Sequence, residues 1–260
     1  KKELSKEFLK YTIISSVAEI ELFRPKQYNS FNQVLRKELV DTLKELEKMD
    51  GIRVVILRGS GPGFTAGADL NEPFPPPISQ HLEDEYKPIF EAIANSRLLI
   101  IAAVHGSAAG IGAALAMVCD FLIMAESSRI SIIFSNIGLV PDGGATWFLY
   151  QALGYKKALQ LIVEGGYLSA NDCKKYGIAN KVVKDDRLAS DARKWANALS
   201  ERAPLANDAA KRLLRRVSEK TYEEAFISEA LEQDKMSISE DFHNARIAFL
   251  KKSKPKFSGK

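Results

Sequence analysis

An aspartate set between a proline and two glycines, Pro141-Asp142-Gly143-Gly144, stands directly before an apolar run opening at Ala145. A carboxylate there can do either of two things. It can cap the helix that follows, accepting hydrogen bonds from first-turn N–H groups, or it can act as a proton-transfer base if its surround is apolar. Upstream, Gly110-Ile111-Gly112 leads into AALAMVCD, a helix-forming run whose first turn leaves backbone N–H groups unpaired. Such a turn can receive an anion or a developing oxyanion, and equally it can be a small-residue stretch that lets two backbones pack closely. A second stretch of this kind, Gly59 to Leu70, reads GSGPGFTAGADL and follows an apolar run. It is either a turn or another backbone donor beside a cleft.

Other chemistries have less support. The three histidines, His81, His105 and His243, are too scattered for a metal cluster, and Cys119 and Cys173 form neither a disulfide framework nor a zinc pattern. No metal is expected. The net charge of +4 gathers in Lys211–Arg216 and Lys251–Lys256. Acidic residues interleave through Glu219 to Glu232 and no aromatic pattern accompanies the basic runs, so they are expected to form a solvated helical face or to meet a phosphorylated small molecule, without nucleic acid as a partner.

These groups must be held by a sizeable body. With 260 residues, 46% of them hydrophobic, the chain can bury a large core. It has neither a long apolar span nor a basic-then-apolar leader, so a cytoplasmic location is expected, or an organellar one if a leader has been removed. The first ten residues look like a loose edge, followed by strands at Tyr11–Ser16 and Val17–Phe23. An amphipathic helix spans Gln33–Met49, with Asn29 to Asn32 offering its cap. Val54–Leu57 and Ile100–Val104 read as buried strands. The prolines at 73, 75, 76 and 77 mark a stiff loop, and the helix over 80–95 carries Pro88, which breaks it in two. Helices follow from Thr146 and from Tyr155, a third is capped by Ser169, and a last strand covers Ile178–Val183. Beyond Asp185 no strand signal remains, and helices are expected at Ser190–Ser200, Leu205–Ser218 and Tyr222–Ser237. The expectation is an α/β core over 1–189 and a helical region over 190–260.

Five landmarks in order, LFRPKQYNSFN, RVVILRGSGPGFTAGADL, AAVHGSAAGIGAALAMVCD, GLVPDGGATW with LGYKKALQLIVEGGYLSANDCKKYGIANKVV, and AFLKKSKPKF, resemble the crotonase superfamily of enoyl-CoA hydratases and isomerases over nearly the whole chain. The resemblance implies a spiral of ββα units with a C-terminal helical oligomerisation region, a homotrimer or homohexamer, and a coenzyme A thioester as substrate. No cofactor is implied beyond the coenzyme A the substrate carries. By the same correspondence the oxyanion hole falls on the backbone N–H groups of Ala68 and Ile111, with Ala66, Gly67, Asp69, Leu70 and Gly110 beside the substrate. Losing one such donor typically costs about 2.7–4 kcal/mol of barrier.

The departures from the family pattern carry more information. The two glutamates with which the hydratases activate water are replaced by Ala114 and Phe134, neither of which moves a proton. Asp142 remains, where some enoyl-CoA isomerases, including those of phenylacetate breakdown, place a single acidic base. The implied activity is migration of a double bond from the 3- to the 2-position of an enoyl-CoA, or opening of a phenylacetyl-CoA epoxide by related enolate chemistry. Hydration and a catalytically silent RNA-binding or assembly role stand as alternatives. Phe134, Ile137, Leu139 and Trp147 are expected to wall the base. Arg24 and Lys26, together with tail lysines of a neighbouring subunit, are candidates for the coenzyme A phosphates. His105 takes a structural role.

Overall fold

A computed structural model describes residues 2–260. Its main sheet has seven strands in the order β1-β2-β3-β4-β5-β7-β10, with β1 (Lys2–Ser5), β2 (Leu9–Ile14), β3 (Val17–Leu22), β4 (Val54–Gly59), β5 (Leu99–Val104), β7 (Phe121–Ala125) and β10 (Lys181–Val183). The first three strands form an antiparallel meander, and all pairings from β3 onward are parallel. A smaller sheet holds β6 (Ser107–Ala109), β8 (Arg129–Ser131) and β9 (Tyr167–Ser169). Successive turns of chain therefore lay one strand in the large sheet, step into the small one and return through a helix. This produces the expected spiral of ββα units.

The central parallel strands β4, β5 and β7 are buried on both faces, which is why they read as unbroken apolar runs rather than alternating ones. On β4, Val55 and Leu57 enter the main core, whereas Val54 and Ile56 join a second core with Leu188, Ala192 and Ala196. Those last three lie on α7 (Leu188–Ser200), so this helix packs on the sheet as part of the body, although the sequence pattern grouped it with the helical tail. The main core receives α1 (Gln33–Glu47), capped by the Asn32 side chain, which accepts from the Leu35 N–H at 2.9 Å.

Several local expectations need revision. The N-terminal stretch is a paired strand, not a loose edge, and it meets β2 in register from Lys2 opposite Ile13 to Ser5 opposite Lys10. The segment over 80–95 has three parts: α2 (Ile78–His81), a π-helical turn Leu82–Tyr86, and α3 (Lys87–Ala94), which carries Pro88 in its first turn, where a missing N–H costs nothing. The two expected helices after Asp142 appear as α5 (Ala145–Val163), interrupted at Gly154 by φ 72° and ψ 170°. Ser169 caps α6 (Ala170–Lys175) through a reciprocal box with Asp172. The short strands β6 to β9 escaped the sequence pattern because three of them have only three residues, too few for a period.

The C-terminal part comprises α8 (Pro204–Arg216), α9 (Tyr222–Ser237) and α10 (Glu240–Leu250). The last of these was not foreseen. Nor is the Lys211–Arg216 run a solvated face throughout. The buried Lys211 ammonium donates to the carbonyls of Ile93 and Leu98, each at 2.9 Å, and to Asp120 at 2.8 Å. Arg215 donates to Asp120 at 2.9 Å and to the Val118 carbonyl at 2.7 Å. Val118 ends α4 (Ile111–Val118), so cations from α8 clip the negative end of that helix. Beyond the clip, α9 and α10 present Tyr222, Phe226, Leu231 and Phe249 to solvent. No helix among the described residues is long and apolar enough to cross a membrane.

Candidate active site

Two turns of small residues meet at the start of α4. Thr65 bridges Ala108 and Phe31 bridges Ala68, which pins the Ala66–Asp69 turn between α1's entry strand and the small sheet. The Phe31 N–H donates to the Gly67 carbonyl at 2.7 Å and the Asp69 N–H to the Phe31 carbonyl at 3.1 Å. The Ala68 N–H lies between them and donates to no protein acceptor among the described residues. Ile111 is the first residue of α4, so its N–H has no helical partner either. The closeness of the turns shows at Gly67, where an added Cβ would sit 2.6 Å from the Ala109 carbonyl oxygen and 3.5 Å from the Ile111 nitrogen. Two unpaired donors thus emerge side by side, which is what a developing oxyanion requires.

Asp142 is carried to α4 by its neighbour Gly143. At Gly143, which has φ 61°, an added Cβ would lie 2.8 Å from Ala114 Cβ, 2.9 Å from Phe90 Cζ and 3.2 Å from Ile111 Cγ1. The backbone carrying the acid is therefore packed directly on the first turn of α4. Asp142 does not cap α5: the N-cap is Gly144 in the left-handed region with no side-chain bond, and Asp142 contributes only its carbonyl, which accepts from the Ala145 N–H at 3.0 Å. One carboxylate oxygen, Oδ1, is buried without any hydrogen-bond partner. Burial raises the group to about 6, against a slight lowering by its own backbone N–H. A desolvated carboxyl group with one oxygen unpartnered is costly to the fold, and such groups cluster where chemistry is done.

This costs stability with a definite sign. The folded-state value lies above the unfolded one near 4, so the contribution is intact below pH 4 and is lost as pH rises through about 6. Asp142→Asn cannot ionise. Its stability relative to the parent chain is expected to improve between pH 4 and pH 7.5 by up to about 3 kcal/mol, the equivalent of two pKa units. Urea unfolding at the two pH values measures this, and an unchanging difference would show that the carboxylate is not desolvated.

The remaining candidates divide. Phe134 is buried with its ring 4.0 Å from a Cβ built on Gly110, so it lies against the turn that enters α4. Ala66 is exposed and lines a cleft with Tyr28, Ser107, Ala109 and Arg129 that leads to the turn. Lys26, on the short helix Pro25–Gln27, is exposed. Leu70, Ile137 and Leu139 are exposed at 62%, 55% and 43% and close no wall in the single chain. Trp147, in the first turn of α5, lines a different groove, shared with Met117, Lys211 and Leu214.

Arg24 is not available to a phosphate. Its Nη1 donates to Asp69 at 3.0 Å and to the Ser30 carbonyl at 2.5 Å, and both members of the ion pair are buried. Asp69 also accepts from the Asn71 backbone and side chain, at 3.1 and 3.0 Å. Burial works against this carboxylate, but the Asn71 and Arg24 hydrogen bonds hold it below the usual range. The pair therefore braces the turn on which Ala68 sits. His105 bonds to the Gly61 carbonyl at 2.9 Å, outside the Asp142 surround.

Two residues of the site were not foreseen, Tyr86 and Phe90. Their spacing of four on a helical segment places them on one face, but nothing in the sequence says which element that face covers.

The family model for enoyl-CoA hydratase/isomerase matches residues 12–260. The chain is 34% identical to the 1,2-epoxyphenylacetyl-CoA isomerase of Escherichia coli K12 across 98% of this chain and 99% of that one. It is 29% identical to the 2,3-dehydroadipyl-CoA hydratase of the same organism, over 93% and 94%. Among solved structures, an enoyl-CoA hydratase subunit from Geobacillus kaustophilus HTA426 superposes with a TM-score of 0.92 at 29% identity, covering 97% of this chain and 98% of that one. The enoyl-CoA hydratase of Bacillus anthracis gives 0.92 at 28%, over 98% and 100%.

Proposed function

The chain belongs to the enoyl-CoA hydratase/isomerase family, and from that premise we propose that it is an enoyl-CoA isomerase moving a double bond from the 3- to the 2-position of the acyl chain. The observation that carries this reading is the single acid beside the two glycine turns: Asp142 has a buried, unpartnered oxygen, while Ala114 and Phe134, at the two places where the resemblance puts the hydratases' glutamates, are buried and apolar.

In the proposed reaction the thioester carbonyl oxygen accepts from the Ala68 and Ile111 N–H groups. Ionised Asp142 removes a proton from the carbon next to the carbonyl, and the C–H electron pair moves into the C1–C2 bond as the carbonyl pair moves onto oxygen. The two N–H groups hold that negative charge with no reorganisation, because neither must first leave a protein acceptor. The protonated acid then delivers the same proton to C4. The electrons of the former 3,4-double bond make that C–H bond, those of the enolate form the 2,3-double bond, and the carbonyl is restored. One acid suffices because proton removal and return occur on the same substrate. A carboxyl group poised at about 6 is mostly ionised at neutral pH, yet basic enough to assist a carbon acid.

Hydration asks for a second acid or base to activate water, and the residues at the two places concerned are apolar. The two readings separate in one pair of assays. With 3-hexenoyl-CoA the absorbance of the conjugated enoyl thioester is expected to grow. With crotonyl-CoA it is expected to persist. Rapid loss of the crotonyl chromophore would overturn the isomerase reading in favour of hydration.

A further inference from the structure

The two ends of α4 meet different parts of the molecule. Its first residue, Ile111, carries the N–H that the proposed reaction assigns to the thioester oxygen, and the carbonyl of its last, Val118, is taken by Arg215 from α8. The helix is eight residues long, so about 12 Å separate its ends. Peptide dipoles aligned over that length leave partial positive charge at Ile111 and partial negative charge at Val118. In so short a helix the negative end is near enough to oppose an enolate held at the first turn. A cation at the negative end removes that opposition.

Such a charge is built in. Arg215 Nη2 donates to the Val118 carbonyl at 2.7 Å and to Asp120 Oδ1 at 2.9 Å, while Lys211 donates to Asp120 Oδ2 at 2.8 Å. Asp120 also accepts from the Ile100 N–H at 2.8 Å, which ties the group to the start of β5. A second carbonyl of the last turn, that of Leu115, accepts from the Cys119 thiol at 3.3 Å. Two cations face one carboxylate, so the group is left with one net positive charge. All eight residues of α4 are buried, and the field between its ends therefore passes through protein, where salt screens it weakly. A unit charge about 12 Å away, at an effective dielectric of about 20, changes an equilibrium about tenfold. Lys211 cannot be varied alone, since it also satisfies the carbonyls of Ile93 and Leu98. Arg215 can, because its side chain is 27% exposed.

We propose that Arg215 is a positioning residue for the reaction: its charge cancels the negative end of α4 and so strengthens the Ile111 N–H as the holder of the enolate oxygen. The C-terminal helical region thereby contributes to the chemistry through α4, without touching the substrate. This inference rests on the proposed enolate reaction and adds a remote group that tunes it.

The test uses acetoacetyl-CoA, which cannot isomerise and whose enolate has its own near-ultraviolet band. The pH at which half of the bound ester is enolate is measured in the parent chain, in Arg215→Gln, which keeps a donor for Val118 and removes the charge, and in Arg215→Lys, which keeps the charge. Arg216→Gln, on an exposed neighbour, is the control for a charge lost elsewhere on α8. Arg215→Gln is expected to raise the half-point by up to about one unit, an enolate equilibrium weakened about tenfold, with butyryl-CoA affinity little changed. Arg215→Lys should give less than half of that shift and Arg216→Gln none. An unshifted half-point in Arg215→Gln, or shifts of equal size in the glutamine and lysine variants or in Arg216→Gln, overturns the role of Arg215 and leaves the acyl-CoA site in place. Should Arg215→Gln not fold, Arg215→Met is read by the same criteria. A parent chain that binds neither butyryl-CoA nor acetoacetyl-CoA overturns the proposed site and this inference with it.

Discussion

Asp142→Asn is expected to lower kcat/KM for double-bond migration by roughly 10²–10⁴-fold, the range supplied by a positioned acid–base group. The loss should lie mainly in kcat. Asparagine has nearly the same volume and can stay in the same apolar surround, and the N–H groups of Ala68 and Ile111 that the proposed reaction assigns to the thioester oxygen are unchanged. Solvent-deuterium exchange at the carbon beside the thioester should stop in the variant, whereas affinity for butyryl-CoA should change little. The parent enzyme's kcat/KM should rise with pH through about 6 and then level, because the ionised form is the base and burial sets its value. The variant should lack that limb. Exchange that continues at the parent rate in Asp142→Asn would mean that another group removes the proton and would end the assignment.

Gly67→Ala is expected to be nearly as damaging for a different reason. At φ 91° an L-residue is strained, and the new methyl would lie 2.6 Å from the Ala109 carbonyl oxygen, a backbone atom that cannot swing aside. The Ala66–Asp69 turn must then move away from α4, which separates the two N–H donors. A displacement on the order of 1 Å at a reacting centre typically costs about 10²-fold. A kcat loss of that size is expected, together with a lower Tm from the strain. The control is Gly138→Ala. It also has positive φ, but nothing lies within 4 Å of the added Cβ, and it sits away from the donors. If the Gly67 variant lost Tm without losing more kcat than the Gly138 variant, the turn would matter to the fold alone.

Asp142 illustrates how the sequence can mislead at close range. Its setting, after a proline and ahead of a helix, satisfies local capping rules, yet the cap position falls on Gly144, two residues on, and the carboxylate is left facing inward. Arg24 misleads in the opposite way. A basic residue in a turn suits a phosphate, but Asp69, 45 residues later, claims it. Lys211 belongs to a run that looks solvated, and it is drawn inward by Asp120 and two carbonyls. The outcomes at Arg24 and Lys211 were decided by partners distant in the chain, and that at Asp142 by burial that leaves Oδ1 with none.

The sequence by itself determined the opening strands, the amphipathic first helix, the buried strands β4 and β5 and the two glycine turns, because these follow from backbone freedom and from apolar runs acting over a few residues. It also determined that Ala114 and Phe134 cannot move protons, which is a matter of side-chain chemistry alone. Only the tertiary structure decided that the turns meet with their N–H groups unpaired, that Trp147 belongs to another groove, and that Tyr86 and Phe90 stand opposite the acid. Unpaired donors and desolvated acids are properties of what surrounds a group, and those surroundings come from segments whose contacts across the spiral leave no local period to read.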